Sequence, residues 1–264
     1  MGAFQKKPPL QKEREDLERR EQRFLEKRMA KKESFLTQKL DGKVPEKLHT
    51  ALNMAFAKAF QLVFEKGTSV IEKTYDRERI TEDTMIRQYA SEIRQNEKNL
   101  KAFSKAANRS STKNVLLSGG AGVGMGILGI GIPDIPLFTG LMLKNIYEIA
   151  LQYGYSYDSE EEKYYILLLI QGAVSYGDEI KKIDQKINEY LKCKSLPEDY
   201  QRENQIRKTA DALSKELIYM KFLQGIPIVG AVGGLYDAIY MKQVTEYTNL
   251  KYRRRKFDEN KTEK

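Results

Sequence analysis

The chain has 264 residues, long enough to bury a core without covalent staples. Its 46 Lys and Arg outweigh 37 Asp and Glu, for a formal net charge of +9, which draws a protein to anionic surfaces without choosing between nucleic acid and membrane. One cysteine, Cys193, excludes an internal disulfide, and one histidine, His49, excludes His-rich zinc sites and the two-His protease helix.

Cys193 sits in Lys-Cys-Lys and reads as an ordinary thiol in a reducing compartment. The opening Met-Gly-Ala-Phe-Gln-Lys-Lys-Pro-Pro has no apolar core for a secretory signal, and Lys6 stands where myristoylation needs Ser or Thr. The expected location is the cytoplasm. His49 lies at the start of a helical run and reads as a helix residue rather than a catalytic base. No catalytic residue, metal site or cofactor is expected.

Residues 10–40 alternate Lys, Arg and Glu, with Leu10, Leu17, Phe24, Leu25, Phe35 and Leu36 spaced too sparsely for a full core stripe. This predicts a solvated helix or arm. Its acidic content weighs against nucleic-acid binding. After Asp41-Gly42 a strongly apolar helix is predicted from Pro45 to Tyr75, with Leu48, Leu52, Phe56, Phe60 and Phe64 inward. Residues 81–107 predict another, with Thr81 as N-cap and Met85, Tyr89, Ile93, Leu100 and Phe103 inward.

From Val115 to Leu143 the only charged residue is Asp134, which gives enough apolar length to span a bilayer. Pro133 breaks it, however. The prediction is a glycine-rich helix, a corner, and a second helix N-capped by Asp134 with Pro136 in its first turn, ending at Tyr153 with Gly154 as its stop. Ser159-Glu-Glu-Glu162 predicts a capping box opening an apolar helix over Tyr164–Ile170. Further helices follow over 179–192 and 198–223. Gly230-Ala-Val-Gly-Gly234 opens the last, which carries Asp237 and ends in the basic run Lys251, Arg253, Arg254, Arg255 and Lys256. No strand pattern is found. The fold expected is all-α: a compact multi-helix bundle with two glycine-rich apolar segments and a charged N-terminal helix. The expected organisation is an extension over 1–44, a helical domain over 45–257 and a polar tail over 258–264.

Gly124-x-Gly126-x-x-Gly129 matches the dinucleotide fingerprint in letters only, because no strand precedes it and prolines follow where a helix must continue. Spacing by four explains more. Gly120 with Gly124, Gly122 with Gly126, and Gly230 with Gly234 share helix faces, which lets backbones approach closely. Each glycine costs a helix about 1 kcal/mol relative to Ala, so close packing or a nonaqueous setting must offset it. Whether the packing partner is the protein's own core or a membrane stays open. Asp134 and Asp237, if buried, would have raised pKa values suited to a proton or cation site, although capping explains Asp134 as well.

Together Ser118-Gly-Gly-Ala-Gly, Ile132-Pro-Asp-Ile-Pro, Ile149-Ala-x-x-Tyr153-Gly154 and Ile226-Pro-Ile-Val-Gly-Ala-Val-Gly-Gly234 through Asp237 to Tyr252-Arg-Arg-Arg255 resemble the EcsC family, over roughly 50–257. The family often has Asn at the position of Asp237. It is named for the third product of a bacterial operon that also encodes an ABC transporter's ATPase and membrane subunits. The resemblance therefore implies a non-enzymatic, membrane-associated accessory or binding protein, cytoplasmic or peripheral on the inner face. Its partner would be a membrane protein or an anionic membrane surface met by Lys251–Lys256. The alternative is a soluble enzyme or small-molecule binder using Asp134 at the helical corner.

Overall fold

The computed structural model describes residues 7–30, 46–126, 135–223 and 234–262, and among these every regular element is helical. In chain order they are α1 (Pro9–Met29), α2 (Glu46–Leu62), a π-helical turn (Val63–Gly67), α3 (Thr68–Glu72), α4 (Arg77–Ile93), α5 (Glu97–Gly126), α6 (Ile135–Tyr153), α7 (Glu160–Val174), α8 (Gly177–Cys193), α9 (Arg202–Leu223) and α10 (Gly234–Thr262). The all-α expectation is met.

The apolar run of α7 sits at the centre: from Tyr164 to Val174 every residue is buried. A helix apolar all round must be covered on every side, and α8, α9 and α10 cover it. Gly172 permits a close approach of α10. A Cβ there would lie 2.7 Å from the Tyr247 ring. Along α6 burial is nearly complete from Met142 to Tyr153, under α2, α4, α5 and α10.

Local signals place several helix ends. Ser159 caps α7, its hydroxyl accepting the Glu162 N–H at 3.2 Å. At the end of α6, Gly154 has φ +90, its N–H donates to the Leu151 carbonyl, and Tyr155 N–H donates to the Ala150 carbonyl, each at 3.0 Å. This pair of bonds is the Schellman arrangement, and it needs a residue that tolerates positive φ.

Other boundaries differ from expectation. The Pro45–Tyr75 run is interrupted by the π-helical turn, where Thr68 Oγ1 donates to the Val63 carbonyl at 3.1 Å. Residues 81–107 are two helices, not one. The first is capped by Asp76, which accepts the Arg79 N–H at 2.9 Å, while Thr81 lies inside it and bonds the Arg77 carbonyl. Arg94 is extended, and Asn96 restarts the helix by accepting the Asn99 N–H at 2.8 Å. From there α5 continues without interruption into the glycine-rich segment.

The charged N-terminal helix is not an exposed extension. It packs on α5, α8 and α10 with Glu13, Leu17, Glu21, Phe24 and Arg28 turned inward. Those positions are spaced four, four, three and four, so they form one face. Leu17 is fully buried, and Phe24 stacks on Tyr247 at 5.0 Å between centroids. At the other terminus α10 extends through Thr262, into the expected polar tail, and there Glu259 accepts bonds from Lys194 and Tyr155.

Candidate functional site

The two ends of the bundle differ in chemistry, and the register between helices shows which sequence features lie at each. Lys256 lies over the Phe103 ring, Asn249 bonds Asn108, and Thr245 and Asn114 both bond Asn145. As numbers rise along α5 they fall along α10, so the Gly126 end of α5 meets the Gly234 end of α10. Phe138–Tyr240 and Tyr153–Tyr252 ring contacts run α6 alongside α10 in the same sense. Tyr240 also donates to the Glu216 carbonyl at 2.8 Å, bringing the end of α9 to the same place. The helix ends that flank both glycine-rich segments therefore converge at one end of the bundle.

Gly120, Gly122, Gly124 and Gly126 form the last turns of α5 at this end, while Gly234 opens α10 and Asp237 lies in its first turn. Pro136 is the second residue of α6 and is exposed. Asp134 and Gly230 lie outside the described residues, as does Pro45. Around the converging helix ends, Leu137 is 46% exposed, Ile239 42% and Met54 67%. Met54 belongs to this end because Phe56, half a turn on, meets the Phe138 ring. Tyr153 and Gly154 belong to the opposite end. There the buried Tyr153 stacks between Phe103 and Tyr252.

That opposite end is ionic. Lys251 is only 2% exposed and Arg253 only 7%. Lys251 Nζ lies 2.7 Å from Asp184 and 3.5 Å from Glu21. Arg253 reaches Glu13 at 2.6 Å and Asp16 at 3.3 Å, and Arg254 pairs with Glu21. Arg255 meets Glu162 at 2.7 Å and lies 4.0 Å over the Tyr155 ring. Lys256 donates to Gln88 at 3.3 Å. Where Lys251–Lys256 was expected to face anionic headgroups, the carboxylates of α1, α7 and α8 hold the charges of Lys251 and Arg253–Arg255. The cluster also lies 17 residues along α10 from Gly234, roughly 25 Å from the apolar end, so one flat surface does not meet both.

Between α1, α8 and α10 this network floors a cleft of ≈ 970 Å³ lined by Glu21, Asp184, Lys251, Arg254, Arg255 and Glu259 among others. Burial pushes the Tyr252 and Tyr247 hydroxyls well up, and the adjoining Glu162 and Asp184 carboxylates add to the shift. Both hydroxyls stay protonated and donate to those carboxylates, at 2.5 and 2.6 Å. Burial opposes the Arg255 charge, but Glu162 overrides it and raises the pKa. These contacts hold the charges and hydroxyls in fixed positions. Elsewhere, Tyr157 links Tyr75 and Glu72 through 2.6 Å bonds, and burial pushes Tyr75 up to about 12. His49 faces Asp211 at 3.2 Å. Among the described residues no group of His, Cys, Asp and Glu is arranged to hold a metal ion.

The ionic layer was missed in the sequence because its partners are distant along the chain, Glu162 and Arg255 by 93 residues and Glu13 and Arg253 by 240. The readable signal was the four-four-three-four spacing of Glu13, Leu17, Glu21, Phe24 and Arg28. Met85, Tyr89 and Ile93 of α4, expected inward, point outward instead.

A family model described as the EcsC protein family matches residues 11–257, which takes in α1 as well as the region of resemblance. Protein EcsC of Bacillus subtilis (strain 168) is 25% identical over 209 residues, covering 79% of this chain and 78% of the relative. No solved structure matches.

Proposed function

The chain belongs to the EcsC family, and from that premise we propose that it is a non-enzymatic accessory protein that attaches peripherally to the cytoplasmic face of a membrane through the apolar end of its bundle. The observation that carries this is the convergence of the helix ends flanking two segments with one charge each, Asp134 over 115–143 and Asp237 over 222–241, beside exposed Leu137 and Ile239. No helix of the described residues is long and apolar enough to cross a membrane. In this reading attachment is by shallow insertion. The family's namesake operon, with its ABC transporter, supports a membrane-protein partner at the same surface.

The test is flotation of the purified full chain with vesicles of phosphatidylethanolamine and phosphatidylglycerol. Burying side chains of this size contributes on the order of 1 kcal/mol each at partial exposure. Leu137→Glu with Ile239→Glu should therefore lower vesicle binding at least tenfold without loss of helicity. Wild-type protein that floats no better than the double variant at low salt refutes the proposal.

A further inference from the structure

Helix α4 is turned inside out. Apart from Ile80, the side it lays on the body is mostly polar. Thr84 is 2% exposed, and Arg87 donates to Gln152 at 2.5 Å and to Thr84 at 2.6 Å. Its outward side carries Met85, Ile86, Tyr89 and Ile93, exposed by 65, 67, 67 and 68%. Positions i, i+1, i+4 and i+8 form one stripe along the helix. Isolated exposed apolar residues are ordinary, but a contiguous ridge of four large ones on a single helix marks an interaction surface.

We propose that this ridge is the contact between two copies of the chain, paired through antiparallel α4 helices about a two-fold axis near Tyr89. The first reason is charge. On the outward side Glu78 and Glu82 stand in the first turns, and Arg94 and Lys98 follow the ridge; all four are exposed. Antiparallel pairing about Tyr89 sets Met85 against Ile93 of the other copy and Tyr89 against its own counterpart. It brings Glu82 within a turn of Arg94, the first residue past α4, twice over by symmetry. A parallel pairing opposes like charges at both ends. The second reason is area. Four side chains of this size, each about two-thirds exposed, present on the order of 500 Å². Two copies then bury about 1,000 Å² before any rim is added, which reaches the range of specific interfaces. A self-complementary patch of this kind is what a two-fold dimer requires.

A lipid occupant is disfavoured. Glu78 and Glu82 flank the ridge and are repelled by anionic headgroups. The helix also packs beside Gly154, where an added Cβ would lie 3.7 Å from Thr84, at the end of the bundle away from the apolar helix ends. The dimer does not depend on the membrane proposal.

The test is the mass of the full chain by sedimentation velocity and by light scattering across a concentration series. Wild-type protein should reach twice the chain mass. Ile86→Glu should remain at the chain mass with an unchanged helical spectrum and melting temperature, because the residue is exposed. Glu82→Lys should weaken dimerisation about threefold to tenfold, and adding Arg94→Glu should restore it. A wild-type chain that stays monomeric at the highest concentration overturns the proposal. So does an Ile86→Glu variant that keeps the dimer mass, or one whose only defect is lost vesicle binding.

Discussion

Two helical glycines should respond to alanine with opposite signs. Gly172 lies in the last turn of α7, and a Cβ there would meet Tyr247 Cε1 at 2.7 Å and both Cζ and the hydroxyl oxygen at 3.2 Å. The ring has nowhere to retreat. It is 1% exposed, stacks on Phe24 at 5.0 Å, and its hydroxyl donates to Asp184 at 2.6 Å. Gly140 lies inside α6, and a Cβ there meets no described atom within 4 Å. Both substitutions gain about 1 kcal/mol of helix propensity. Only Gly172→Ala sets against that gain an overpacking cost of about 1–3 kcal/mol. Gly140→Ala should therefore stabilise by up to about 1 kcal/mol, and Gly172→Ala should lie about 1–3 kcal/mol below it. Urea unfolding followed by circular dichroism reads both, with equal m-values confirming that the change is in stability. In a Tyr247→Leu background the penalty at Gly172 should largely vanish, a coupling that a double-mutant cycle isolates. If Gly172→Ala stabilises as much as Gly140→Ala does, the tight α7–α10 approach is wrong.

Arg253→Met leaves the Glu13 carboxylate, itself 2% exposed, to Lys101 at 3.4 Å and should cost up to about 3 kcal/mol, read as a lower urea midpoint. Adding Glu13→Gln should recover part of that loss, and an unchanged midpoint in the single variant would remove α1 from its ionic seat. Burial raises the Glu148 pKa while Lys144 pulls it down. A folded pKa above the unfolded one favours folding at low pH and loses that contribution as pH rises through the folded value. Glu148→Gln should therefore stabilise the protein near pH 7, with the advantage fading toward about pH 3, below the ordinary Glu pKa of about 4.3, where the wild-type carboxyl is protonated in both states. Urea midpoints at the two pH values check it, and an equal advantage at both refutes it.

Helix class was legible wherever one residue type forced one geometry. Gly154 stops α6 because φ +90 excludes most side chains, and Ser159 starts α7 through a bond to a backbone N–H three residues on. The unbroken apolar stretch Tyr164–Ile170 could only be central. Orientation was less legible. The stripe Met85, Tyr89, Ile93 is visible in the sequence, but a stripe states that apolar residues share a face, not what covers it. Among the described residues none covers that stripe of α4, so the inward expectation failed. The basic run on α10 misled for a related reason. Charge written along one segment reads as solvated, whereas neutralisation by Glu13, Glu21, Glu162 and Asp184 is a tertiary event with no local mark. The same is true of the second half of the Ser159 capping box. Ser159 caps as expected, but the Glu162 carboxylate is held by Tyr252 and Arg255.

Salt separates the two ends of the molecule. Charges buried and paired within the protein are screened far less than charges facing water, and they contribute nothing to long-range attraction by a membrane. Lys251 and Arg253 are in that condition, and Arg254 and Arg255 are paired and at least half-buried. If attachment used these residues, vesicle binding would fall steeply as salt rises, by about 1 kcal/mol for each basic residue released from the surface. If it uses the end marked by Leu137 and Ile239, binding is apolar and holds, because the hydrophobic effect does not weaken with simple salt as Coulomb attraction does. One salt titration of vesicle binding thus distinguishes the basic-cluster mechanism that the sequence suggests from the apolar-end mechanism proposed here.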